Sequence, residues 1–277
     1  MKRLLTALVA TPLALAALFL LPVPWFLGFV TLFIELAVWE YLAIVRPQAP
    51  KAPLGVLLVL VPLAAWALSA SMIEGSRVFT AEEHLLAAAV LLSVGIGSLL
   101  LLRSTPLPEV LPALGILCFG VPYFAAPIAA VSHLQRADPW LVFLLFAVVW
   151  LGDTGAYYAG RRLGRHKMAP VVSPNKTWEG AVAGFLVSLG STAVWSLWRL
   201  DRLDLALLAV AAVTALAAQM GDLMESLIKR GAGVKDSGQL LPGHGGVFDR
   251  LDAMLFAAPV MLLALWVLPV EGLRIPH

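Results

Sequence analysis

Residues 204–228 read DLALLAVAAVTALAAQMGDLMESLI, and no side chain between Asp204 and Asp222 carries a charge. At about 1.5 Å per helical residue, an apolar run of this length can cross a hydrocarbon layer of roughly 30 Å, which makes it a candidate transmembrane helix. Its last turns have a different character. Asp222 is followed by Glu225, Ser226, Lys229 and Arg230 at offsets that bring them to one helical face. Such a face either anchors the helix end, with Lys229 and Arg230 snorkelling to the interface, or lines a site. For Asp222 the anchoring role is the weaker reading, because an acid inside a span is costly unless it is paired or bound to a cation.

The rest of the chain repeats the apolar pattern. Its 277 residues are 61% hydrophobic and only 13% charged, with a mean hydropathy of +0.91, which excludes an ordinary soluble domain. The expected fold is an all-α, polytopic integral membrane helical bundle. Apolar runs bounded by Pro, Gly or charge give nine spans, at about 4–21, 25–45, 53–73, 84–102, 108–132, 139–160, 179–198, 204–228 and 253–270. Pro22 and Pro24 separate the first two. The first run, behind Met-Lys-Arg and containing Ala14-Leu15-Ala16, also has the look of a signal peptide, but it is long enough to span and is read as a retained helix. The polar stretches 161–178 and 229–252 are too short to fold alone, so residues 1–277 form a single transmembrane domain.

Nine spans place alternate loops on opposite sides. With the N-terminus in the cytoplasm, all of the 19 Lys and Arg residues except Arg77, Arg136, Arg199, Arg202 and Arg274 lie inside, as the positive-inside rule requires. Both long polar stretches then face the cytoplasm. A multi-pass protein of the cell (inner) membrane, with its chemistry on the cytoplasmic face, is the expectation. The single cysteine, Cys118, allows neither an internal disulfide nor a multi-cysteine metal site.

Residues suited to polyphosphate chemistry concentrate in 150–180 and 222–252. The second stretch gathers Asp222, Glu225, Lys229, Arg230, Lys235, Asp236, Asp249, Arg250 and Asp252, with glycines that tolerate unusual backbone angles or close ligand approach. Carboxylates hold hard cations and amines hold phosphate. Asp249 and Asp252, at i and i+3, can face one site, or serve as an N-cap and an ion pair with Arg250. His244 suits loop hydrogen bonding as well as catalysis. Asp153 lies inside the sixth span, within WLGDTGAYY, where an acid is functional by default and a buried ion pair is the alternative. After that span, SPNKTWEG (residues 173–180) offers Lys176 to a phosphate and the hydroxyls of Ser173 and Thr177 to oxygens, or simply a membrane anchor and helix cap. Glu35 and Glu40 lie about 140° apart on an ideal helix and are judged separately. Glu40 can reach the cytoplasmic interface, and Glu35 has no motif around it.

Ser226-Leu227-Ile228-Lys229-Arg230, then Lys235-Asp236, His244-Gly245-Gly246 and Asp249-Arg250-Leu251-Asp252, resemble the signature of the phosphatidate cytidylyltransferases, or CDP-diacylglycerol synthases. SPNKTWEG and DTGAYYAG, the many spans and the length resemble that family too. The resemblance implies that CTP and phosphatidate give CDP-diacylglycerol and pyrophosphate in phospholipid biosynthesis, with Mg²⁺ as cofactor. It implies Asp222 and Asp249 as metal ligands and Asp153 as a further acid of the site. Lys176, Lys229 and Arg230 would contact phosphates, and Ser173, Asn175 and Thr177 would position nucleotide or lipid phosphate. Ser226 would also bind substrate, and Lys235, Asp236, His244, Arg250 and Asp252 would complete the pocket. The partners implied are the two substrates and the lipid bilayer, with no nucleic acid; a homo-oligomer is compatible. Intramembrane acids such as Glu35, Asp153 and Asp222 also mark the paths of ion-coupled transporters, and another CTP-dependent lipid-phosphate enzyme is a further alternative.

Overall fold

Prolines and small residues set where the helices of this chain break and where they touch. The computed structural model describes residues 12–69, 105–240 and 245–273 and is helical almost throughout. Helix α1 is described over residues 12–20 and stops before Pro22, and α2 (Val23–Val45) begins with Pro22 as its N-cap and Pro24 in its first positions. The expected proline break is therefore present. After two 3₁₀ turns come α3 (Leu57–Leu68), α4 (Leu107–Ala137), α5 (Pro139–Leu163), α6 (Trp178–Leu200), α7 (Leu205–Gly231) and α8 (Phe248–Val267).

Among the described residues, six helices are long and apolar enough to cross a membrane: Val23–Gln48, Leu107–Ala137, Pro139–Leu163, Trp178–Leu200, Leu205–Gly231 and Phe248–Val267. They coincide with six of the nine expected spans. The expected third span is represented by the shorter apolar segment Leu54–Leu68. The span expected at 84–102, and most of the one at 4–21, lie outside the described residues.

The all-α expectation needs one correction. The basic stretch after α5, read as a loop, forms an antiparallel hairpin of β1 (Lys167–Ala169) and β2 (Ser173–Thr177), with Lys167 opposite Thr177 and Ala169 opposite Ser173. A two-stranded ribbon is marginal alone, and here the start of α6 secures it. The Glu179 carboxylate accepts from the Arg165 amide at 3.1 Å and the His166 amide at 3.2 Å, and it meets His166 Nδ1 at 2.6 Å. The Trp178 amide donates to the His166 carbonyl.

The chain divides into two compact units. The first takes Met1–Ser132 and Gly231–Leu251. Its described core includes an aromatic cluster in which Tyr41 of α2 packs edge-on against Phe124 of α4 and Phe248 of α8, with ring centroids 5.3 and 6.1 Å away. Phe124 and Phe248 are fully buried, and aromatic pairs of this geometry add about 0.5–1.5 kcal/mol beyond the burial of their area.

The second unit takes His133–Arg230 and Asp252–His277. Its frame is the antiparallel pair α5 and α6, joined along a seam of small residues. Gly152, Ala156 and Gly160 on α5 face Gly180, Gly184 and Ser188 on α6. A Cβ on Gly184 would lie 2.7 Å from the Gly152 carbonyl oxygen, and one on Gly180 would lie 2.8 Å from that of Ala156. Ser188 Oγ donates across the seam to the Val148 carbonyl at 2.7 Å. Lipid tails are as apolar as Leu, so close backbone packing and interhelical hydrogen bonds hold such a pair together. At the end away from the hairpin, Arg199 pairs with Asp138 at 2.8 Å and lies over the rings of Trp140 and Trp198, a composition typical of a membrane interface.

Candidate active site

In the second unit, the α5–α6 seam and the hairpin bring charges from four elements together. Asp153 projects from α5, Lys176 from β2, Asp222 from α7 and Asp252 from the first turns of α8. Lys176 Nζ lies 2.7 Å from Asp222 Oδ2, with both side chains half-buried. Asp153 and Asp252 lie within electrostatic reach of that pair. Gly221 explains how α7 and α8 come so close. A Cβ at this position would lie 2.6 Å from the Asp252 carbonyl oxygen and 3.2 Å from Ala253 Cα. The two helices therefore meet backbone to backbone beside the two acids.

The C-terminal end of α7 is also tied in. Lys229 Nζ pairs with the fully buried Glu225 at 2.7 Å, which gives that expected phosphate contact an acidic partner of its own. Arg230 Nε donates to the Val172 carbonyl at 3.3 Å, linking the helix to the hairpin turn. Ser226 and Ser173 are half-buried, and Asn175 is exposed. Thr177 takes the helix-cap role that was the alternative for this segment. It is buried, and its hydroxyl caps α6 by accepting from the Gly180 amide at 3.2 Å, which fixes the junction of hairpin and helix. Gln219, which no motif singled out, ties α7 to α6 by donating to the Ala181 carbonyl at 3.0 Å.

In the first unit, Asp249 and Arg250 lie in the first turn of α8. Lys235, Asp236 and Arg250 are exposed; His244 lies outside the described residues. The Asp249 carboxylate accepts from the Gly246 amide at 2.9 Å and from the Ser237 amide at 3.1 Å. In return the Asp249 amide donates to Ser237 Oγ at 3.3 Å. Gly245 has φ 81°, a left-handed conformation suited to glycine. Gly238 and Gly246 are required for another reason: a Cβ on either would lie 2.8 Å from Cδ of Glu40.

Glu40 is the residue that sequence reading missed. It does not simply reach an interface: it is 1% exposed. Its Oε2 accepts from Ser237 Oγ at 3.0 Å and from the Phe248 amide at 2.9 Å. The only trace in the sequence is an acid facing an otherwise apolar helix side.

The sequence model described as the cytidylyltransferase family matches residues 1–268. The chain belongs to this family. It is similar to the phosphatidate cytidylyltransferase of Haemophilus influenzae, with 32% identity covering 93% of this chain and 96% of that protein. It is also similar to the enzyme of the same name from Staphylococcus saprophyticus, 45% identical over 45% of this chain and 49% of that one. The Brucella suis enzyme of that name is 39% identical over 55% of this chain and 56% of that one.

A cytidylyltransferase handles a triphosphate, and the second unit's carboxylates suit the hard divalent cation that usually accompanies one. Asp153, Asp222 and Asp252 are oxygen donors close enough to repel one another, and the cluster already holds one positive charge, the Lys176 ammonium on Asp222. Among the described residues no three acids, His or Cys side chains stand in a finished ligand set. The donor chemistry fits magnesium.

Proposed function

We propose that this protein catalyses cytidylyl transfer from CTP to phosphatidate, giving CDP-diacylglycerol and pyrophosphate, at the cytoplasmic face of the cell's inner membrane. Family membership and the similarity to phosphatidate cytidylyltransferases support the reaction. The single observation that carries it to particular residues is the Lys176–Asp222 pair with Asp153 and Asp252 beside it.

In the reaction, a phosphate oxygen of phosphatidate attacks the α-phosphorus of CTP and the bond to the β-phosphate oxygen breaks. Pyrophosphate leaves with the electron pair. The protein has little covalent chemistry to perform, so its work is positioning and the stabilisation of charge. Lys176, already beside Asp222, offers its ammonium to a phosphate oxygen brought there. Lys229 and Arg230, at the end of α7, offer further positive charge, and Ser173 and Asn175 on β2 offer hydrogen bonds. Asp222, with Asp153 and Asp252 near it, would hold magnesium, and Asp249 is the second carboxylate that the resemblance implies for it. Magnesium, when bound, supplies charge neutralisation on the triphosphate.

The nine-span topology with a cytoplasmic N-terminus belongs to the same reading. It puts Lys235 inside and Arg202 outside. Single cysteines at these positions, in a background with Cys118 replaced, label from opposite sides of sealed vesicles; labelling from one side refutes the topology.

The enzyme reading is tested with purified protein, labelled CTP, phosphatidate and Mg²⁺. Formation of CDP-diacylglycerol with one pyrophosphate per turnover is expected. No product with phosphatidate, alongside turnover with another lipid acceptor or ion flux in proteoliposomes, overturns it.

A further inference from the structure

The start of α8 has an unusual cap. Backbone amides in the first turn of a helix have no intrahelical partner, and a Ser, Thr, Asp or Asn side chain at the N-cap ordinarily supplies one. Here Val247 immediately precedes the helix and has no acceptor in its side chain, and Gly246 before it has no side chain at all. Two distant residues supply the acceptors instead. Glu40 takes the Phe248 amide, and Ser237 Oγ takes the Asp249 amide. Asp249 itself closes back on the Gly246 amide, and the Arg250 amide reaches the Val247 carbonyl. Every amide from Phe248 to Arg250 thus has a partner.

The hydroxyl between them has a defined direction. Ser237 Oγ accepts from the Asp249 amide, so its own proton is free to go to Glu40 Oε2 at 3.0 Å. Glu40 therefore orients Ser237, and Ser237 holds Asp249 at both its amide and, through its own backbone N–H, its carboxylate. Gly238 and Gly246 leave room for the carboxylate where any side chain would displace it.

We propose that Glu40, acting through Ser237, is a positioning residue that fixes the rotamer of Asp249 and the first turn of α8 for cytidylyl transfer. Glu40 touches no reacting group in this role. The proposal rests on the cytidylyltransferase reading for its kinetic consequence, but its structural consequence can be measured without any substrate.

Three variants separate positioning from mere packing. Glu40→Gln keeps an oxygen acceptor where Oε2 lies and puts its amide nitrogen where Oε1, unpartnered among the described residues, now sits. Glu40→Asp falls one methylene short, and Glu40→Ala removes the acceptor. In hydrogen exchange on the full-length protein without ligands, amides 246–250 should exchange about tenfold faster in Glu40→Ala, the scale of a lost cap, and at the parental rate in Glu40→Gln. In the phosphatidate assay, kcat should fall about tenfold or more in Glu40→Ala and Glu40→Asp, with KM for CTP within about twofold, as expected of a group that aligns rather than binds. Glu40→Gln should restore kcat. Ser237→Ala, which deletes only the hydroxyl, should shift both readouts the same way and serves if Glu40→Ala fails to fold. Unchanged exchange at 246–250 in Glu40→Ala or Ser237→Ala overturns the proposal, as does a Glu40→Gln enzyme no better than Glu40→Ala. A parent protein that makes no CDP-diacylglycerol overturns the reaction assignment instead, and the exchange measurement still decides this proposal.

Discussion

Asp222 and Asp249 are both half-buried aspartates on long apolar helices, and the fold gives them opposite kinds of partner. Asp222 faces a lysine ammonium across a side-chain pair. Asp249 is gripped by two backbone amides, from Ser237 and Gly246. A side-chain partner can swing away when a ligand arrives, at the cost of a rotamer change. An amide partner cannot leave unless the loop itself moves. The contrast teaches that one acid has a partner able to move and the other has partners fixed in the backbone.

The strongest way to break that comparison is to neutralise each acid. Asp222→Asn and Asp249→Asn are both expected to reduce CDP-diacylglycerol formation by about a hundredfold or more, the scale of losing a group on which metal and phosphate depend. Membrane insertion should survive in both. The two should part in thermal unfolding when each is cut to alanine: Asp249→Ala leaves the buried Ser237 and Gly246 amides without their acceptor and loses about 1 kcal/mol or more, whereas Asp222→Ala removes a half-buried ion pair and loses less. Equal thermal shifts would collapse the contrast. Lys176→Met is expected to lower turnover by about tenfold and raise KM for CTP, as removal of a phosphate-facing cation should. Normal kinetics in this variant would reduce Lys176 to a counter-ion. The smallest effect is expected from Thr177→Ala, which removes the α6 cap for about 1 kcal/mol of stability while turnover per folded molecule stays close to the parent.

What the sequence disclosed follows physical range. Apolar runs are local, so six spans could be placed from composition alone, and the Pro22 break needed only its neighbours. The clustering of Asp222 with Lys176 was approachable because both sit in recognisable segments. The hairpin escaped notice because its strands are three and five residues long, polar, and include Pro174, which reads as a turn. Glu40 escaped for a different reason. Its partners lie 197 and 208 residues away, and no local pattern can announce a contact of that separation. Gly238 and Gly246 were visible as glycines but were read as backbone freedom, when their purpose is to leave space for a carboxylate.

The seam between α5 and α6 bears on traffic rather than on chemistry. Where a single added methyl on Gly180 or Gly184 would press into the opposite backbone, an acyl chain has no passage. A lipid substrate must therefore come to the Lys176 cluster by some other side of this unit, and the α5–α6 face is a wall.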